Sequence, residues 1–257
     1  MMNKNSLLKL GLIFGLSLCI FSTRAMIKNN FIDNASASEV DRSFYYTEEL
    51  KDKSIVFYGD SITARHGLKS YEKDYIQLLQ EEFGFYYSNQ AVGGATWTDV
   101  PPSTNNIFRQ LRNSEALYRD ADYVSIFLGT NDFGLNRPIG NKNDKDVKTI
   151  YGAIYTVFDT IIEANPDVKF MLITSLNRYD FTDDNPYDNV LTNGAGYTIE
   201  DLRNVIRTSA ETYNCTLVDL GELVNEENMS ILLNADKLHV VEQGYREIAK
   251  VIKTVQK

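Results

Sequence analysis

Short apolar runs alternate along the chain with longer stretches in which apolar residues recur three or four positions apart. The runs Ser54–Tyr58, Phe85–Ser88, Tyr123–Leu128, Val168–Thr174 and Thr216–Leu220 are rich in β-branched and aromatic residues and have strand length. Between them, Tyr71, Tyr75, Leu78, Leu79 and Phe83 keep helical spacing, and Ile150, Ile154, Val157, Phe158 and Ile161 form a similar stripe that Pro166 ends. Thr198 followed by Asp201 resembles a capping box opening a helix through Leu202, Val205, Ile206 and Tyr213, and a last helix carries Tyr245, Ile248, Ala249 and Ile252. Parallel strands need crossover connections, and the crossing helices cover the sheet on both faces. The pattern therefore predicts an α/β fold, a three-layer α/β/α sandwich on a flavodoxin-like parallel five-stranded sheet. In such folds the chemistry lies outside the carboxyl ends of the strands.

The first fifty residues break this alternation. Lys4 and Lys9 precede an uncharged apolar run, Leu10 to Phe21, followed by Ser22, Thr23, Arg24 and Ala25. A spanning helix needs about 18 to 20 apolar residues, so residues 1–25 read as a signal peptide, with an uncleaved membrane anchor as the alternative. Residues 7–21 would then be the membrane tether. Leu16-Ser17-Leu18-Cys19 approaches a lipoprotein box, with Leu18 where a small residue is wanted. The expected location is secreted or at the cell surface. Residues 26–50 are polar, with Asn29, Asn30, Asn34, Ser36 and Ser38 clustered, and read as a linker; residues 51–257 form the folded domain.

Composition narrows the class further. Of 257 residues, 43% are hydrophobic and 24% charged, an ordinary globular balance that excludes disorder and a multi-span membrane protein. Lys and Arg number 26 against 35 Asp and Glu, a formal net charge of −9 that argues against a nucleic-acid partner. Loss of the leader removes three cations and no acid, so the body is more acidic still. Of two cysteines, Cys19 lies in the leader and Cys215 in the body, so the domain has no internal disulfide and relies on its core.

Four segments stand at the ends of the expected strands: Gly59-Asp60-Ser61-Ile62-Thr63 after the first, Asn89-Gln90-Ala91-Val92-Gly93-Gly94 after the second, Gly129-Thr130-Asn131-Asp132 after the third, and Asp236-Lys237-Leu238-His239 before the final helix. These are the parts that acyl transfer needs. A serine hydroxyl is a poor nucleophile without a base, and imidazole titrates in the right range to supply one. Asp236, three residues before His239, can fix the imidazole tautomer. The Ser61 N–H, the Gly94 N–H and the Asn131 side-chain NH2 are candidate donors to the developing oxyanion.

The four blocks, in this order, resemble those of the SGNH hydrolases, also called GDSL esterases and lipases. The resemblance runs from about Lys53 to the C-terminus and implies Ser61 as nucleophile, Gly94 and Asn131 as completing the oxyanion hole, and Asp236 with His239 as the base and its partner. Ala91 stands where the family commonly has Gly, and Val240 where Pro commonly follows the histidine. The chain has no G-x-S-x-G, which counts against the α/β-hydrolase nucleophile elbow.

Blander roles remain open for each residue. Ser61 could cap a helix, Gly94 could serve a turn, and Asn131 could close an Asx-turn. His66 is the rival base, though it has no carboxylate at matching spacing, and a surface or substrate contact suits it better. Asp60 and Asp132 read as loop-bonding residues; a metal site from Asp60, Asp132, Asp236 and His239 lacks the usual ligand spacing, and neither metal nor other cofactor is expected. Trp97, Arg178 and Tyr179, near the cleft or on the long loops beside it, are candidate substrate contacts. The resulting expectation is an exported serine esterase acting on acyl esters, acetyl above all, of a small molecule, a polysaccharide or a cell-wall glycan. The alternatives are a lysophospholipase or thioesterase, or a non-catalytic flavodoxin-like glycan-binding module. Oligomeric state is open at this level.

Overall fold

The computed structural model describes residues 40–178 and 192–255, so the leader, most of the expected linker and Tyr179 lie outside the described residues. Five parallel strands form one sheet: β1 (Ser54–Gly59), β2 (Tyr86–Asn89), β3 (Tyr123–Phe127), β4 (Lys169–Ile173) and β5 (Thr216–Val218), in the order β2-β1-β3-β4-β5. The principal helices are α1 (Tyr75–Phe83), α2 (Ile107–Asn113), α3 (Glu115–Asp120), α4 (Thr130–Gly134), α5 (Ile150–Ala164), α6 (Ile199–Thr212), α7 (Met229–Leu232) and α8 (Glu242–Thr254). The strand order reverses at β1. A crevice therefore opens outside the carboxyl ends of β1 and β3, where doubly wound sheets bind their ligands.

Burial on both faces explains the continuous apolar strands. Ile55 and Phe57 of β1 pack into one layer with Tyr75, Ile76 and Leu79 of α1 and Tyr245, Ile248 and Ile252 of α8. Val56 and Tyr58 point the other way and are equally buried, and on that side α5 lies against α6. There Phe158 stacks between Phe170 and Tyr213, with ring centroids 4.4 and 4.3 Å away. Each such side chain, fully withdrawn from water, stabilises the fold by about 1.5–3 kcal/mol before entropy is counted. Among the described strand residues, the large hydrophobic side chains left in solvent are Tyr86 and Tyr87 of the edge strand β2.

Several elements differ from the sequence reading. The first helix starts at Tyr75 because Asp74 caps it, accepting from the Gln77 N–H while the Gln77 side chain accepts from the Asp74 N–H; Tyr71, assigned to that stripe, is outside the helix and exposed. The linker ends well before residue 50. Phe44, Tyr46 and Leu50 are core residues, and the Arg42 carbonyl accepts from the Phe170 N–H at 2.6 Å, so residues 42–50 belong to the domain. Helices α2 and α3 were not foreseen: Ser114 separates two pieces too short to show a clear period. The capping box of Thr198 and Asp201 is present as read. Among the described residues no helix is long and apolar enough to cross a membrane.

Candidate active site

Ser61 follows β1 in a tight turn held from three directions. Within the turn, the Ala64 N–H donates to the Asp60 carbonyl and the His66 N–H to the Ser61 carbonyl, both at 2.9 Å. From below, the Tyr245 hydroxyl donates to the Ile62 carbonyl at 2.6 Å, and the Tyr75 hydroxyl meets Thr63 Oγ1 at 3.2 Å. From the side, Asn89 Nδ2 donates to the Thr63 carbonyl at 2.7 Å, tying the second block to the first. Asp60 Oδ1 accepts from the Ile62 N–H at 2.9 Å, the loop-bonding role its position suggested. Ser61 itself is buried. Its backbone N–H has no hydrogen-bond partner among the described residues, and neither has that of Gly94. Ser61 is buried, where an N–H left unpaired is costly, and Gly94 is exposed; the two open donors stand at the same sheet edge and are available to an acceptor.

The second and third blocks are stapled to each other. Gly94 sits at φ +74°, the left-handed region that a side chain would strain, and turns the chain toward β3. Asn131 Nδ2 donates to the Ala95 carbonyl at 2.9 Å. One N–H of the carboxamide is thereby committed and its plane fixed, with a second N–H on the same nitrogen. Asp132, wholly buried, accepts from the Trp97 N–H at 2.8 Å, the Thr98 N–H at 3.1 Å and the Thr98 hydroxyl at 2.9 Å. Burial pushes the Asp132 carboxyl up to about 6 despite these donors. Burial pushes Asp60 further, to about 7, with the neighbouring Asp132 adding to the rise and the Ile62 N–H opposing it.

The fourth block forms a tight turn before α8. His239 Nδ1 and Asp236 Oδ2 are 2.6 Å apart, and Asp236 Oδ1 accepts from the His239 and Leu238 N–H groups at 2.9 and 3.0 Å. Partial burial works against the ionised carboxyl, yet the bonds from the His239 ring and from these two N–H groups hold Asp236 below its ordinary value. An ionised Asp236 is an acceptor, so the Nδ1 nitrogen carries the proton and Nε2 keeps its lone pair. The Ser61 hydroxyl makes no hydrogen bond to His239 here. Such bonds are commonly long until the reacting complex forms. What joins the two loops is His66, whose ring centroid lies 5.8 Å from that of His239.

The expected substrate contacts fare differently. Trp97 is wholly buried with its backbone on Asp132, so it packs beneath the crevice and cannot stack on a ligand at the rim. Arg178 is half-buried; it donates from Nη1 to the Thr130 carbonyl at 3.0 Å and lies across Gly134, close to the third block. Tyr179 lies outside the described residues. The loop-bonding role read for Asp132 is present, but its partners Trp97 and Thr98, and the staple from Asn89, are not visible in the sequence, because a side chain that bonds a distant backbone leaves no local period.

Comparison with known proteins agrees with this architecture. The profile of the GDSL-like lipase/acylhydrolase family matches residues 57–247. A crystal structure of a Lactobacillus plantarum protein is 25% identical, covering 79% of this chain and 96% of that one with a TM-score of 0.66. A possible lipase from Chitinophaga pinensis is 24% identical over 79% of this chain and 96% of its own, with a TM-score of 0.61. An acetylxylan esterase from Geobacillus stearothermophilus shares the fold at 21% identity and a TM-score of 0.52, covering 80% of this chain and 97% of that one. No functionally curated protein matches the chain. The family match over most of the chain sets aside a purely binding role: the chain belongs to the GDSL-like lipase/acylhydrolase family, the SGNH hydrolases, and is a serine ester hydrolase.

Proposed function

We propose that the protein is an exported esterase that removes acyl groups, acetyl above all, from a hydroxylated carrier such as a polysaccharide or cell-wall glycan, through an acyl-enzyme on Ser61. The observation that carries this reading is the 2.6 Å contact of Asp236 with His239 Nδ1, which leaves Nε2 as the basic nitrogen. Nε2 takes the Ser61 proton as Oγ attacks the ester carbonyl, and the carbonyl oxygen gathers negative charge. The N–H groups of Ser61 and Gly94 and the Asn131 carboxamide donate to it; each such donor is worth about 3–4 kcal/mol in the transition state. His239 then returns the proton to the departing alkoxide. Water, deprotonated by the same imidazole, releases the acid and restores Ser61.

Export rests on the basic start and the apolar run Leu10–Phe21. The acetyl-glycan preference is supported by the fold shared with an acetylxylan esterase. The test is hydrolysis of a chromogenic acetyl ester by the purified protein. Ser61→Ala, with its fold intact by circular dichroism, loses turnover if the reading holds; an unchanged rate removes it.

A further inference from the structure

One group at the crevice has no part in this chemistry. His66 is exposed, and its ring lies between two loops of the crevice. Its backbone N–H closes the Ser61 turn. On one side the ring lies against Gly93, where a Cβ would stand 2.7 Å from Cε1 and 3.0 Å from Nε2, so a side chain there would displace the ring from its present position. On the other side is the His239 ring, at 5.8 Å and tilted by 34°. The next residue, Gly67, at φ +90°, lets the fourth block close in: a Cβ there would lie 2.4 Å from Asn234 Nδ2 and 3.5 Å from His239 Cβ. Two glycines thus make space for a second imidazole between the nucleophile turn, the Gly93-Gly94 turn and the base.

The direction of the chemistry says which part of a substrate this imidazole meets. An acyl ester bound over Ser61 has its carbonyl oxygen toward Gly94 and Asn131. Its alcohol oxygen must face His239, because that imidazole hands it a proton. A ring beside His239 and open to solvent stands next to the alcohol half. We propose that His66 is the residue that recognises the alcohol, hydrogen-bonding a hydroxyl of a polyol or sugar that bears the acyl group. This rests on the assignment of Ser61 and His239 above. A neutral imidazole offers one donor and one acceptor, a match for hydroxyl groups and none for an aryl ring that lacks them.

The test compares two acetates with the same acyl group, an O-acetylated xylo-oligosaccharide and phenyl acetate, on wild type, His66→Ala, His66→Gln and Ser61→Ala. His66→Ala lowers kcat/KM for the sugar ester about 10-fold, mainly through KM, and leaves phenyl acetate within about twofold; His66→Gln, which keeps a donor and an acceptor, recovers most of the loss. Deacylation is common to both esters and stays unchanged. The alcohol subsite also serves the reverse step, so His66→Ala reduces the share of acetyl that passes from Ser61 Oγ to added glycerol rather than to water. Equal losses on both esters, or none on either, would overturn the assignment: the first makes His66 a support of the Gly94 turn, the second a bystander. Turnover surviving in Ser61→Ala would instead overturn the parent reading, so the two failures are told apart.

Discussion

Replacing Asn131 with alanine separates the two things its carboxamide does. The side chain bonds the Ala95 carbonyl at 2.9 Å, and Ala95 is fully buried. Truncation leaves that carbonyl unpaired inside the protein, at about 1–2 kcal/mol in stability. For a domain of this size each kcal/mol moves Tm by about 2–4 °C, so a fall of about 2–8 °C is expected. The same truncation removes one donor to the oxyanion, about 3–4 kcal/mol of transition-state stabilisation, or 10²- to 10³-fold in kcat. The donor acts where charge develops, so KM should stay within about threefold. Steady-state kinetics on a chromogenic acetate, paired with thermal unfolding, reads both quantities on one preparation. A variant that raises KM while keeping kcat would show that Asn131 binds ground-state substrate. A variant that is slow but has lost more than about 15 °C in Tm would show that rate loss comes from a collapsed loop.

Other consequences follow from neighbouring residues. Asp236→Asn keeps the shape but offers a donor to Nδ1, which favours the wrong tautomer; kcat should fall at least 10²-fold, and a smaller loss in a pH–rate series would deny Asp236 its role. Asp60, ordinarily ionised above pH 4, is pushed up to about 7 by burial. The folded chain keeps a proton that the unfolded chain has released, so the contribution of Asp60 to stability is full below pH 4 and is lost as pH rises to about 7. Asp60→Asn, which cannot ionise but can still accept from the Ile62 N–H, should flatten the part of that decline above pH 6. Denaturant unfolding at pH 6 and 8 checks this, and parallel slopes in wild type and variant would contradict it. Phe44→Ala should cost about 3 kcal/mol by emptying a core site outside the expected domain boundary, and denaturant melts showing less than about 1 kcal/mol would restore the linker reading.

Much of the fold was legible because its signals are local. A parallel strand buried on both faces is a continuous apolar run, and Thr198 with Asp201 announces its helix within four residues. Phe85 illustrates the limit: it is apolar and buried, yet it precedes β2 rather than opening it, because the sheet register pairs Tyr86, not Phe85, with Ser54. The linker reading extends too far because Phe44, Tyr46 and Leu50 are widely spaced among polar neighbours, and the rings that pack on them, Tyr123 on Phe44 and Phe83 and Phe85 on Tyr46, lie far along the chain. The four candidate blocks stand out in the sequence by their residue types at the strand ends. The supports that aim them, Asn89 on Thr63, Tyr245 on Ile62 and Asp132 on Trp97 and Thr98, exist only once the chain is folded. Trp97 failed for the same reason: composition marks an indole as a good ligand platform, but only coordinates tell whether its face meets solvent.

The central claim is that Ser61 Oγ is the nucleophile that takes up the acyl group, activated by His239. A fluorophosphonate that reacts only with activated serines, followed by peptide mapping, asks this directly. The account predicts a single adduct on Ser61, formed in wild type and suppressed by His239→Ala. An adduct on any other residue, or labelling of Ser61 that proceeds unslowed without the imidazole, would contradict it.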